Sequence, residues 1–246
     1  MAGKEHFRAA VEARILSLTG SAVGGIDYDG PKGDPGLFGP DSICWRVHGD
    51  FVPMLAGGIS ALLLQMLHPL ALAGVWDHSN FRNDMIGRLR RTARFVSATT
   101  FAPTAEALGE IDRVRKIHLR IKGTASTGQA YSAPDPDLLT WIQVAEVSSF
   151  LNAYQVYGAQ RLSPQEIDGY FRETALVATK LGALRVPKSA NEVARYLQRL
   201  RPELVADEKT ASVLASIKSA PAPHLFASLM RKPFIDAGFD LLPPFA

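Results

Sequence analysis

An all-α fold is what this sequence predicts: a single-domain helical bundle over residues 1–246, with a central buried helix and an N-terminal Gly/Pro-rich flap. Three observations predict it. Apolar residues recur at helical spacing almost without interruption from Met54 onward. Three later helices announce their own starts with capping residues. No alternating strand of useful length, no solenoid repeat and no linker-like stretch interrupts the chain.

The elements follow in order. Residues 5–18 form a charged amphipathic helix, and residues 20–40, dense in Gly, Pro and Asp, form an ordered loop or flap. Residues 42–52, with Trp45, Arg46 and His48, are short enough to be an extended arm or a helical turn. The stretch 51–76 has His68 as its only ionisable side chain and is long enough to raise the membrane question. Pro53, Gly57, Gly58, Gln65 and the His68-Pro69 pair break it, so a buried central helix ending near His68 and a second short helix are expected. A further helix runs over 104–122. Asp135-Pro136-Asp137 supplies an N-cap, a first-turn proline and a second acid for a helix over 138–157. Ser163-Pro164-Gln165-Glu166 is a capping box with proline at the first helical position, and Ser189 with Glu192 repeats the box. Prolines at 221, 223, 233, 243 and 244 leave room only for short helical pieces in the tail.

Composition sets bounds on function. A hydrophobic share of 47% with 21% charged residues excludes a disordered chain. A net charge of +3 is too small to indicate nucleic acid by itself. Cys44 is the only cysteine, so it is expected as a buried thiol in a reducing compartment. Residues 1–14 are charged throughout and lack a secretory apolar region, which makes cytoplasmic location the expectation. There is no Walker loop, Gly-x-Gly-x-x-Gly, His-Glu-x-x-His, Cys-x-x-Cys or Gly-x-Ser-x-Gly, so nucleotide, dinucleotide, ordinary zinc and nucleophile-elbow sites have no support.

What remains is a histidine in an unusual setting. Ile111, Val114, His118 and Ile121 fall on one stripe of the 104–122 helix, which turns His118 toward the core. Arg115 three residues before it and Lys122 four after bracket the imidazole with cations. A neutral imidazole entering an apolar cavity suits axial ligation of haem iron, and flanking cations suit the propionates. On spacing alone, a hydrogen-bonded core histidine is the more ordinary reading. Upstream, residues 84–95 hold Arg88, Arg90, Arg91, Arg94 and Thr92, with Arg88, Arg91 and Thr92 on one face. That face is either a solvated surface or a second cationic wall for an anionic cofactor.

Five runs carry a resemblance. They are Gly36-Leu-Phe-Gly-Pro-Asp-Ser-Ile-Cys-Trp-Arg-Val-His48, Leu64-Gln-Met-Leu-His-Pro69, Gly87-Arg-Leu-Arg-Arg-Thr92, Arg115-x-x-His118-x-x-x-x-Gly123 and Tyr131-x-Ala-x-Asp-Pro136. Together they resemble the MpaB-type oxygenase family, which includes the catalytic domain of latex clearing protein, a rubber oxygenase. The resemblance implies an all-helical haem b protein that uses O2 to cleave carbon-carbon double bonds in isoprenoid chains. It places His118 as the proximal iron ligand and makes Arg115 a propionate partner or a support for the ligand. Arg88, Arg91 and Thr92 fall on the family's distal-side motif.

Two positions depart from the pattern. Rubber oxygenases carry lysine where this chain has Arg91, and arginine remains charged and is a poor iron ligand. Many relatives have histidine where this chain has Gln143, which can hydrogen-bond but cannot shuttle protons near neutral pH.

The expectation is a cytoplasmic haem b-dependent oxygenase acting with O2 on a small apolar, unsaturated, isoprenoid-like substrate. Arg91, Thr92 and Gln143 are its candidate catalytic residues, and Arg88, Arg91, Arg115, Lys122, His68 and His118 its candidate cofactor contacts, with His118 on the metal. A dry pocket is expected along residues 62–72. His68 either caps a helix end or lines that pocket, while His48 and His78 lie near loops that could approach the haem edge. The competing readings are a non-catalytic haem- or lipid-binding helical protein, and a helical interaction module that holds no cofactor. No nucleic acid and no stable membrane span are expected; peripheral membrane contact and oligomeric state stay open.

Overall fold

The computed structural model describes residues 33–220 and 225–246, without the side chains of 225–230. The expected helix over 5–18 and most of the flap lie outside the described residues. What is described of the flap is a run of turns. Asp34 fastens it by accepting from the Thr104 backbone N–H (2.9 Å) and hydroxyl (2.7 Å). Gly36, at φ +69°, lies so close to the Ala102 carbonyl that a Cβ would be 2.5 Å from its oxygen, so a side chain there would meet backbone as well as an unfavourable φ.

Residues 42–52 resolve the choice between arm and turn as a short helix, α1 (Ile43–His48), capped by the Ser42 hydroxyl. Then come α2 (Phe51–Gln65) and α3 (Pro69–His78), bent by 102° across the intervening residues. Pro69 cannot continue the α2 hydrogen-bond ladder, and His68 restarts a helix by accepting from the Leu70 N–H at its Nδ1 (3.3 Å). Among the described residues no single helix is long and apolar enough to cross a membrane.

The central helix is one of a pair. α2 packs along α6 (Pro136–Tyr157), the most heavily buried helix among those described. The two backbones approach so closely at Gly57 that an added Cβ would stand 3.0 Å from the Phe150 Cα and the Ser149 carbonyl oxygen. Asp135 caps α6 as expected, accepting from Asp137 and Leu138 N–H. Around this pair Val47, Trp141, Val144, Phe150 and Tyr170 close the main core, each such burial stabilising by about 1.5–3 kcal/mol.

The remaining helices surround the pair. α7 (Pro164–Leu181) begins with the complete Ser163–Glu166 box. α8 (Ala190–Leu200) starts with half of one: the Ser189 hydroxyl accepts from Glu192 N–H, but the Glu192 carboxylate turns to Lys188 N–H instead of completing the box. α9 (Glu208–Ser219) follows a 3-10 turn, and α10 (Leu225–Asp240) continues through Pro233 to pack on α2. A second core, with Met66, Phe81, Met85, Val213 and Ile235, lies on that side.

The functional interest lies in α4 (Met85–Phe101) and α5 (Thr104–His118), a helical hairpin with a two-residue connection. Its register is fixed by Glu110, buried between Arg94 (2.8 Å) and Arg113 (2.6 Å). Burial alone would raise the Glu110 pKa, but hydrogen bonds from Arg113 and Arg94 outweigh it and hold the carboxyl below its usual value. The fourth expected helix is shorter than the sequence suggests. It ends at His118, and residues 119–121 turn into a small antiparallel hairpin, β1 (Lys122–Thr124) with β2 (Ala130–Ser132). Three-residue strands are too short to show alternation, which is why they are invisible in the pattern.

Candidate functional site

The hairpin brings the two cationic segments together. With residue 94 against residue 110, antiparallel register sets Arg88 level with the last turn of α5, where Arg115 and His118 lie, and Arg91 about one turn earlier, near Arg113. Arg88 is half-buried. It donates to the Ser79 hydroxyl at 3.3 Å and has no carboxylate partner among the described residues. Burial, and then repulsion from Arg91, hold its pKa down to about 10. Arg91 is exposed and pairs loosely with Asp84 at 3.4 Å, a surface contact worth little. Thr92 is exposed, and its hydroxyl proton is used on the Arg88 carbonyl at 3.3 Å. Arg115 is exposed and has no ion pair among the described residues.

His118 is half-buried, and burial lowers its pKa, so the ring is neutral near pH 7. Neutral imidazole is the form that coordinates iron. Its Nδ1 is buried without a hydrogen-bond partner among the described residues, a state that costs about 1–3 kcal/mol in a finished interior. The ordinary core-histidine reading requires such a partner. An imidazole without a partner, level with a half-buried guanidinium that lacks a carboxylate among the described residues, is a donor set of the kind a haem takes: nitrogen for iron, and cation for propionate. Lys122 is a correction. It lies on β1 and not on the helix, and its side chain is exposed, so it does not bracket the imidazole as helical spacing implied.

Gln143 is placed elsewhere. It is buried on α6, donates to the Thr174 carbonyl at 3.0 Å, and lines a small cavity of about 30 Å³ whose lining includes none of Arg88, Arg91, Thr92, Arg115 or His118. The three candidate catalytic residues are therefore not one constellation. His48 is in this chamber as well, bonded through Nδ1 to the Thr100 hydroxyl (2.8 Å) and through Nε2 to the Tyr170 hydroxyl (2.9 Å). Burial pushes its pKa down to about 3. Cys44, 3.6 Å from His48, is wholly buried, and burial followed by the charge of Glu173 pushes its thiol up. Glu146 completes the chamber with no hydrogen bond among the described residues, and burial pushes it up to about 7. Sequence reasoning missed Glu146. The available signal was its place three residues after Gln143, a polar pair on one face of an otherwise apolar helix.

His68 lines a third place, an open cleft of about 930 Å³ between the starts of α3 and α6 and the wall of α8. Its ring lies against Trp141, 5.8 Å between centroids. Burial lowers its pKa, opposed by the nearby charges of Glu203 and Asp135. The expected dry pocket along 62–72 is not there: Leu62, Leu63, Leu64 and Met66 are packed into the cores, and only the end of the stretch, from His68 to Leu70, borders the cleft. His78 is used structurally, its Nε2–H donating to the Lys122 carbonyl at 3.2 Å.

Fold and site together define an all-α domain that presents histidine and arginine at the open end of a helical hairpin. Residues 45–246 match the family described as "ER-bound oxygenase mpaB/B'/Rubber oxygenase, catalytic domain", and the chain belongs to that family of oxygenase catalytic domains. No curated protein and no solved structure matches the chain.

Proposed function

We propose that the protein is a haem b-dependent oxygenase that uses O2 to oxidise an apolar, unsaturated substrate of isoprenoid type. The observation that supports this reading is the His118 imidazole, neutral, half-buried and unpaired at Nδ1 among the described residues, in register with a half-buried Arg88 that has no carboxylate partner among them. His118 would hold the iron, and Arg88 and Arg115 would hold the propionates. Bound there, the haem would supply redox chemistry toward O2 that no side chain of this chain can perform.

The chain's own residues contribute binding and orientation. Arg88 supplies a fixed charge in a low-dielectric setting, where a carboxylate gains most from it. Arg91, as a guanidinium, is a poor ligand for iron and would contribute charge rather than coordination. Thr92, with its proton used on the Arg88 carbonyl, is left with lone pairs to accept from a neighbour. A buried thiol with no second cysteine suits a reducing, cytoplasmic compartment.

The test is a spectrum and an oxygen electrode. Protein purified with haem should show a Soret band that disappears in His118→Ala and survives in His68→Ala, and should consume O2 when given an unsaturated isoprenoid such as squalene. A protein that stays colourless after haem addition sinks the reading. A second reading, a non-catalytic haem or lipid carrier, is favoured by the separation of Gln143 from the hairpin. A full Soret band without oxygen uptake would establish it.

A further inference from the structure

We infer that the cleft beside His68 is a second binding site, for amphiphiles that carry a carboxylate on an apolar body. None of the hairpin residues Arg88, Arg115 or His118 lines it, so the inference stands apart from the oxygenase reading.

The cleft has the size and the layering such a ligand needs. Its volume of about 930 Å³ is at the upper end of the range for small-molecule sites. The floor is buried: His68 is 7% exposed, Leu138 9%, Thr140 2% and Tyr196 8%. Leu70, Val186, Pro187 and Leu200 add apolar wall.

The floor offers a directed donor. The Leu70 N–H donates to Nδ1 of His68, which favours the neutral ring with its proton on Nε2. Nε2 has no hydrogen-bond partner among the described residues, although nine-tenths of the residue is buried. A ligand oxygen would complete it.

The charged groups of the cleft are not equally free. Asp135 uses its carboxylate on two backbone N–H groups, Glu192 on a third, and Asp137 lies 3.9 Å from Arg185. Only Glu203 among the lining acids has no described partner, and it is exposed. Arg195 and Arg199, one helical turn apart on α8, line the same wall, and neither has an ion pair among the described residues. Two adjacent guanidinium forks match the bidentate geometry of a carboxylate. The positive ends of α3 and α6 open into the same space and add to the preference.

The experiment is calorimetric titration of the purified protein with sodium dodecanoate below its micellar concentration, with acetate as head group alone and decan-1-ol as tail alone. Dodecanoate should bind one per chain, with acetate and decanol weaker by about tenfold or more, the discrimination expected of a charge-assisted contact joined to an apolar one. The double variant Arg195→Ala/Arg199→Ala, whose exposed positions leave the fold intact by circular dichroism, should weaken dodecanoate by about tenfold. His68→Phe should weaken it less, and His118→Ala should leave it unchanged. The inference is overturned if folded protein gives no dodecanoate binding, if the double arginine variant binds as tightly as the parent, or if decanol matches dodecanoate. Displacement of bound haem by dodecanoate would also overturn it, because the cleft would then be the porphyrin site. A colourless protein that still binds dodecanoate sinks the haem reading and leaves the cleft standing.

Discussion

At the scale of single residues, Glu146 makes the sharpest stability prediction. Its carboxyl borders a cavity, lacks a described hydrogen bond, and is pushed up to about 7 by burial. In the unfolded chain a glutamate titrates near 4.3. Between those values the folded protein binds the proton that the unfolded chain releases, so stability falls as pH rises from about 4.3 to 7 and then levels off. Glu146→Gln should abolish that fall. Urea unfolding should find the variant more stable than the parent by about 2 kcal/mol at pH 8, with discount for the solvent that reaches the cavity, and nearly equal at pH 4. Equal stability at both pH values would show that the carboxyl is solvated or paired. Residue-scale legibility was uneven for a physical reason. His118 could be placed by helical period because its neighbours on the stripe are local. The partners of Gln143 and His48 lie on other helices, 31 residues away for Thr174 and 122 for Tyr170, and no local spacing encodes them.

Elements were legible where their ends are chemical. Asp135 and Ser163 begin α6 and α7 as their side chains require, and Pro69 divides α2 from α3 as its ring requires. The end of α5 was not legible, because nothing in residues 119–122 breaks a helix; Ile121 even keeps the apolar period. What stops it is tertiary. The Ile121 carbonyl is taken by Ala133 N–H at 2.9 Å, and Gly123 pairs with Tyr131 across the two strands. This also gives physical content to the glycine five residues after His118. A Cβ at Gly123 would stand 2.6 Å from the Tyr131 hydroxyl, which donates to Asp77 at 2.6 Å and fastens the strands to α3. Gly123→Ala should therefore displace the tyrosine, cost about 1–3 kcal/mol, and loosen the chain that follows the imidazole. Thermal unfolding and Soret intensity should fall together. A variant with normal stability and full haem content would remove Gly123 from the support of the site.

At the scale of the whole molecule, the helical class was legible and the cavities were not, since each is assembled from several helices and its volume depends on shape. The 102° bend after α2 keeps that apolar stretch folded back among its neighbours, with Leu64 and Met66 each 1% exposed. A similar long-range consequence follows from Glu110. One carboxylate gripped by arginines on both helices of the hairpin couples α4 to α5. Fluctuation of this end of the protein should then be that of a rigid lever, so that His118 and Arg88, the proposed iron ligand and propionate anchor, would swing in concert. Amide hydrogen exchange should show both helices opening with one shared free energy, and Glu110→Gln should split it into two. If the two helices already exchange independently in the parent protein, the lever does not exist.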